Sequence, residues 1–295
     1  MQTGPRLGFI GIGLMGEAMV LRLLERGRSV AIWNREPGRC AGVAAAGAEP
    51  MTDPRSVCEA SDIVLMCVLD APAVENCIFG PGGIAVARDG ARLLIDHSTI
   101  NPDAARGFAE RLAAQGGMRF VDAPISGGPE AAREGRLTIM AGGAVEDLAA
   151  ARPILADLGA NITHLGPVGT GQSAKMLNQA IVGVGYVLMA ETLALARAAG
   201  LAPERLPAAL AGGTADSALL QRLFPRMAAA AFEPPSGYAR ILLKDLKNIA
   251  AYEHGLGLSL PLIERALARF AAHVDAGNAM RDGATIAELY ERGGG

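Results

Sequence analysis

The sequence predicts an α/β, doubly wound domain followed by an all-α C-terminal domain, with a long interdomain helix joining the two. Three observations carry that expectation. Short apolar runs alternate with helical patterns through the first half of the chain, the pattern of a sheet covered by helices on both faces. A glycine-rich turn, Gly11-Ile12-Gly13-Leu14-Met15-Gly16, lies between the first apolar run and the first helical pattern, which makes the first domain Rossmann-type. Strand signals then stop near residue 166, and a proline-free apolar stretch follows. The expected domains are residues 1–165, binding the dinucleotide, and 166–295, serving substrate and assembly.

The expected strands are residues 7–10, 29–33, 63–68, 93–96, 120–122, 137–141 and 162–165. Several are continuous apolar runs, as parallel strands buried on both faces require. Helical patterns mark 15–26, 39–46, 102–114 and 146–158, with a short helix at 130–134. From 170 to 199 there is no proline, and Met176, Leu177, Ile181, Val184, Val187, Leu188 and Leu195 recur at helical spacing. About 30 residues at a 1.5 Å rise span roughly 45 Å. A helix this apolar all round is expected to be buried: in its own domain, against the other, or against a second subunit. Further helices are expected at 203–211, 218–228, 237–254, 261–276 and 285–292. The three glycines at 293–295 are expected to fray.

Apolar residues make up 51% of the 295 and charged residues 19%, a balance that builds a sizeable core and argues against disorder. Net charge is −3 with both signs interleaved, so no basic stripe points to nucleic acid. Cys40, Cys58, Cys67 and Cys77 lack CxxC spacing and read as reduced thiols, not as a disulfide framework or zinc site. His97, His164, His254 and His273 form no HxxxH or HExxH pattern, so no metal site is expected. The first apolar run is broken by glycines and lacks the charged start of a signal peptide. No run of 18 uncharged apolar residues marks a membrane span. The expectation is a cytoplasmic protein with neither nucleic-acid nor membrane partners.

Each glycine of the turn has a task. Gly11 permits the tight bend, Gly13 lets the backbone approach a pyrophosphate, and Gly16 lets helix and strand pack closely, with Ile12, Leu14 and Met15 between them. The second strand ends in Trp33-Asn34-Arg35. A carboxylate there would bind the ribose 2′-hydroxyl of NAD; Asn34 and Arg35 can instead hydrogen-bond and neutralise a 2′-phosphate. The expected cofactor is NADP, with NAD possible because Glu36 follows at once.

Of 27 basic residues only three are lysines, Lys175, Lys244 and Lys247. Arginine stays charged in any setting, whereas a buried lysine can release its proton. Lys175 and Asn178 sit at i and i+3 on the long helix and share a face. Together they can bracket an oxygen, with Lys175 moving a proton and Asn178 orienting the group; burial would tune the lysine towards neutrality. Snorkelling at the helix start is the alternative for Lys175. Asp122-Ala-Pro-Ile-Ser126-Gly127-Gly128 follows a strand and precedes a short helix. Its free backbone N–H groups suit a small carboxylate, with Ser126 as a further donor; an ordinary glycine turn is the alternative. Lys244-Asp245-Leu246-Lys247 reads either as a solvated helix face or as a reach towards cofactor, with Asp245 pairing a cation.

In this order, these segments resemble the β-hydroxyacid dehydrogenase family over most of the chain, from Gly8 to about Lys247. That family includes 3-hydroxyisobutyrate dehydrogenases, tartronate semialdehyde (2-hydroxy-3-oxopropionate) reductases and glyoxylate/succinic semialdehyde reductases. The resemblance rests on the nucleotide glycines, on Asp122 to Gly128, on Gly169-Thr-Gly-Gln-Ser-Ala-Lys175-Met-Leu-Asn178 and on Lys244-Asp245-Leu246. It implies Lys175 as catalytic acid/base, with Ser126, Gly127, Gly128 and Asn178 holding the substrate. It implies Thr99 beside the nicotinamide and Lys244 on the cofactor, in a homodimer or homotetramer assembled through the helical domain. The implied reaction is hydride transfer between NADP and a small 3-hydroxy acid or its semialdehyde. Gln179 departs from the family's second asparagine, and residues 232–237 are where substrate choice is expected to be set. Two other readings stay open: an imine or other carbonyl reductase of the same fold, against which Lys175 argues, and a silent NADP-binding scaffold.

Overall fold

A computed structural model describes residues 4–291. Arg292, the expected end of the last helix, and the glycines at 293–295 lie outside the described residues. The chain divides into two compact units between Lys175 and Met176.

The first unit is built on a six-stranded parallel sheet in the order β3-β2-β1-β4-β5-β6. Its strands are β1 (Leu7–Ile10), β2 (Val30–Trp33), β3 (Glu49–Pro50), β4 (Ile63–Met66), β5 (Leu93–Asp96) and β6 (Arg119–Asp122). Successive residues point to opposite faces, and both faces are covered. Phe9, Ile32, Leu65, Ile95 and Val121 share one apolar cluster, while Ile10, Val64, Met66, Leu94 and Phe120 share another. The covering helices are α1 (Leu14–Glu25), α2 (Ala41–Ala45), α3 (Pro54–Glu59), α4 (Ala71–Phe79) and α5 (Pro102–Gly116). Strand order reverses between β1 and β4, the switch point where such sheets bind ligands. A second sheet holds β7 (Ile125–Ser126), β8 (Leu137–Ala141) and β9 (Gly159–His164), with α6 (Gly128–Arg133) and α7 (Val145–Leu158) between them.

Several elements differ from expectation. The two-residue strands β3 and β7 are too short to leave a periodic signal. Helices α3 and α4 were not among the expected helices, although each carries a start signal: the carboxylates of Asp53 and Asp70 accept from Ser56 N–H at 2.7 Å and Ala73 N–H at 3.0 Å, each with a proline in the first turn. Strand β4 stops at Met66, two residues early, because Val68 N–H turns to donate to Ser98 Oγ at 2.9 Å.

The second unit is helical: α8 (Thr170–Ala198, whose first turns belong to the first unit), α9 (Leu206–Leu210), α10 (Ala218–Ala228), α11 (Ala239–Gly255) and α12 (Pro261–His273). Its core gathers Met176, Leu193, Phe224, Leu246, Phe270 and Ile286. Among the described residues its only β contact is the isolated bridge between Tyr238 and Asp282. The helix expected to 276 leaves α geometry after His273 and kinks at Gly277 (φ +92°). The segment Gly283–Tyr290 is 3-10 instead of α.

Within a single chain α8 is buried on one side only, so of the burial expected for it the part on the other side is left to a partner surface. Met176, Val187, Ala190 and Leu193 are buried, but Leu177, Ile181, Leu188 and Leu195 are 66, 70, 53 and 70% exposed. These four recur at 4- and 7-residue spacing, so they form one apolar stripe. Among the described residues α8 alone is long and apolar enough to cross a membrane by length and composition.

Candidate active site

The nucleotide turn is shaped by its glycines. Gly11 adopts φ +99°, and a Cβ there would fall on the Cys67 carbonyl oxygen. At Gly16 a Cβ would fall on the Gly11 carbonyl oxygen, while Gly13 has nothing within 4 Å of where a Cβ would stand. Helix α1 starts without a side-chain cap. Its first N–H groups and the open space at Gly13 fit the pyrophosphate of a dinucleotide.

Asn34 is used inside the protein: its Oδ1 accepts from Ile12 N–H at 2.9 Å and its Nδ2 donates to the Glu36 carbonyl at 2.9 Å. It holds the nucleotide turn to the end of β2. Arg35 is exposed. The Glu36 carboxylate is paired with Arg39 at 2.8 Å, so the acidic neighbour of Arg35 carries its own counter-charge.

Strand β7 leads into Gly127 (φ +135°) and Gly128 (φ +78°), both in the left-handed region that favours glycine. Helix α6 begins at this pair with no side-chain cap. Lys175 is 6% exposed, and its Nζ donates to the Ile125 carbonyl at 2.6 Å. Its ammonium thus lies beside the residue preceding Ser126, and the snorkelling alternative is excluded.

Half-buried Thr99 lies in the loop after β5, between two anchored neighbours. Ser98 N–H donates to Asp96 Oδ1 at 3.0 Å, and the side-chain amide of Gln172 bonds Ser98 O at 2.7 Å and Ile100 N–H at 3.1 Å. Asp122, fully buried at the end of β6, accepts from Gly169 N–H and Gln172 N–H, both at 2.8 Å. It caps α8 from a different element. Burial pushes its carboxyl up to about 7, against the pull of those N–H donors and helped by the nearby Asp96 charge. His97 goes the other way: burial holds it down at about 4, and its Nδ1 lies 2.7 Å from the Ala123 carbonyl.

Within the second unit, Asn178 Nδ2 donates to Gln179 Oε1 at 2.7 Å, and Gln179 Nε2 donates to Asp245 Oδ2 at 2.5 Å. Lys244 Nζ sits 3.0 Å from Asp245 Oδ1, the cation pairing expected of that aspartate. The departure at Gln179 is therefore a bridge from Asn178 to the Lys244–Asp245 pair. Residues 232–237 are held by buried Asp282, which accepts from Ser236 N–H at 2.6 Å and pairs with Arg226 at 3.1 Å.

The first unit brings the nucleotide turn, Thr99, Ser126 to Gly128 and Lys175 into one compact body; Asn178, Lys244 and Asp245 belong to the second. Sequence reasoning missed Asp122, Gln172 and the Ile125 carbonyl. The first two stand in the quoted motifs, but nothing local distinguishes a capping carboxylate or a clasping amide. A backbone carbonyl leaves no sequence signal at all.

Two family models match the chain. Residues 6–166 match the NAD-binding domain of 6-phosphogluconate dehydrogenase, and residues 169–290 match the NAD-binding model of NADP-dependent 3-hydroxyisobutyrate dehydrogenase. The chain is 37% identical to the 2-hydroxy-3-oxopropionate reductase of Escherichia coli, over 87% of each chain. It is 34% identical to the 3-hydroxyisobutyrate dehydrogenase of Pseudomonas aeruginosa, over 96% of this chain and 98% of that one. The crystal structure of a Salmonella typhimurium 3-hydroxyisobutyrate dehydrogenase superposes with a TM-score of 0.85 at 26% identity, covering 96% of this chain and 99% of that one.

The two shifted groups make opposite contributions to stability. A carboxyl raised from 3.8 to about 7 adds stability that is complete below pH ~4 and lost as pH rises through about 7. His97, lowered from 6.5 to about 4, adds stability that is complete above pH ~6.5 and lost as pH falls through about 4. Asp122→Asn should therefore remove a downward slope in unfolding free energy between about pH 4 and 7, measured by urea titration. A variant curve parallel to wild type would mean that Asp122 is ionised across that window.

Proposed function

The chain belongs to the β-hydroxyacid dehydrogenase family of NAD(P)-dependent oxidoreductases, and from that premise we propose that it interconverts a small 3-hydroxy acid and its semialdehyde. The relatives' names supply the substrate class, 3-hydroxyisobutyrate or tartronate semialdehyde in type. The observation that carries the mechanism is Lys175: a lysine withdrawn from water, 2.6 Å from the Ile125 carbonyl of β7, the strand that leads into Ser126 and the two glycines.

The bound nicotinamide supplies or receives the hydride. In the reducing direction, Ser126, Gly127 and Gly128 bind the substrate carboxylate through hydroxyl and backbone N–H groups. Lys175 donates a proton to the carbonyl oxygen as it becomes a hydroxyl; in oxidation it takes that proton back. Asn178, three residues on along α8, orients the same oxygen, and Gln179 holds its amide. Thr99 lines the nicotinamide side, and Lys244 contacts the cofactor with Asp245 as its counter-charge. Residues 232–237 set the substrate choice. Arg35 favours NADP over NAD, because a 2′-phosphate needs a cation and Glu36 is already neutralised by Arg39. A second copy of the chain covers the exposed stripe of α8, since a contiguous apolar stripe of this kind marks an interaction surface.

Initial rates at 340 nm with NADPH and NADH, on tartronate, methylmalonate and succinic semialdehydes and glyoxylate, test the reaction. Turnover of one aldehyde, faster with NADPH, is expected; NADPH binding without any turnover would favour the imine-reductase or scaffold readings. Lys175→Ala should lower kcat by at least about 100-fold, and activity within a few-fold of wild type would refute its role. Arg35→Asp should move the kcat/KM ratio towards NADH, whereas an unchanged ratio would leave NADP preference without its cation. Ile181→Glu combined with Leu188→Glu should reduce the particle measured by light scattering to one chain; a single-chain wild type would rule out assembly through this stripe.

A further inference from the structure

We infer that Gln172 is a positioning residue for the reaction, clasping the start of the Lys175 helix to the loop that carries Thr99. Its side chain is fully buried and uses both ends. Oε1 accepts from Ile100 N–H at 3.1 Å, and Nε2 donates to the Ser98 carbonyl at 2.7 Å, so the amide straddles Thr99. Its own backbone N–H donates to Asp122 Oδ2 at 2.8 Å. One residue thereby joins the end of β6, the loop after β5 and the first turn of α8. Lys175 stands three residues further on, on the same face of that helix.

The loop is anchored on its other side as well. Ser98 N–H donates to Asp96 Oδ1 at 3.0 Å, and Ser98 Oγ accepts from Val68 N–H at 2.9 Å. Cys67 and Val68 in turn pack against Gly11 of the nucleotide turn. Contacts therefore run unbroken from the nucleotide turn through Ser98 and Gln172 to the helix of Lys175.

The amide meets both demands of the site in its one neutral form, giving one hydrogen bond and taking another across a single backbone residue. Ionised glutamate would set a carboxylate oxygen against the Ser98 carbonyl, and methionine, similar in length, offers neither bond. A residue serving helix packing alone would gain nothing from a polar end in a fully buried position. Hydride and proton must reach neighbouring atoms of one carbonyl, so the spacing between the Thr99 side and the Lys175 side is what this clasp holds. The inference rests on the proposed roles of Lys175 and Thr99.

Gln172→Met, Gln172→Glu and Lys175→Ala in the full chain test it, with NADPH affinity by fluorescence, kcat, KM and the primary deuterium isotope effect from 4-deuterated NADPH. Gln172→Met should keep NADPH affinity within about two-fold and lower kcat by about 10- to 100-fold, on the scale of an ångström's misplacement. Its isotope effect on kcat should rise as the chemical step comes to limit turnover. Gln172→Glu should show the same split at pH values where its carboxyl is ionised and recover where it is protonated. Wild-type kcat and isotope effect in Gln172→Met, beside a disabled Lys175→Ala, would overturn the clasp and leave the role of Lys175 intact. An active Lys175→Ala would overturn both. If neither Gln172 variant folds, amide exchange in the wild-type protein decides: Ile100 N–H as protected as the amides of β5 supports the clasp, and exchange at open-loop rates removes it.

Discussion

The candidate site depends on how the N-terminus of one helix is held. A helix starts with N–H groups that its own carbonyls cannot reach, and those of the 29-residue α8 also carry the positive end of its macrodipole. Asp122 meets two of them from the end of β6, through Gly169 and Gln172. The approach is close enough that a Cβ on Gly142 would stand 2.6 Å from Asp122 Oδ1, and one on Gly171 2.9 Å from Asp122 Oδ2. Small residues at both points are therefore a condition of the seat. Lys175 leaves that seat already aimed at the Ile125 carbonyl. Burying a carboxylate is costly, and the raised affinity of Asp122 for its proton is where that cost surfaces.

The same economy governs the nucleotide end. The turn cannot be tightened by side chains, because Gly11 and Gly16 leave no room for a Cβ. It is held instead by the Asn34 amide, acting on Ile12 N–H and the Glu36 carbonyl. That use of Asn34 leaves Arg35 as the exposed cation of the segment, with Glu36 already paired to Arg39. Both halves of the first unit thus rely on polar side chains that satisfy backbone groups of other elements.

The second unit combines an apolar core with two polar groups: buried Asp282, which accepts from Ser236 N–H and pairs with Arg226, and the strip of Asn178, Gln179, Asp245 and Lys244. Gln179 links a residue of α8 to a charged pair on α11, which gives the departure from the family's asparagine a structural task.

Much of the architecture was readable from local pattern. Continuous apolar runs marked the central strands, the glycine turn marked the nucleotide end, and the proline-free stretch marked α8 to within a residue at its far end. These signals repeat over a few neighbouring residues, as helix and strand periods do. The two-residue strands carried too little pattern to read, and α3 and α4 went unread, their only local signal being an aspartate cap with a proline in the first turn. Motifs also named Lys175 and the turn at Ser126, but not the groups that hold them. Lys175 finds Ile125 across 50 residues, and Gln172 finds Ser98 across 74. Such bonds depend on which element ends the fold brings together. A sequence lists its hydrogen-bonding groups, but burial and direction select their partners, and both exist only once the chain has packed.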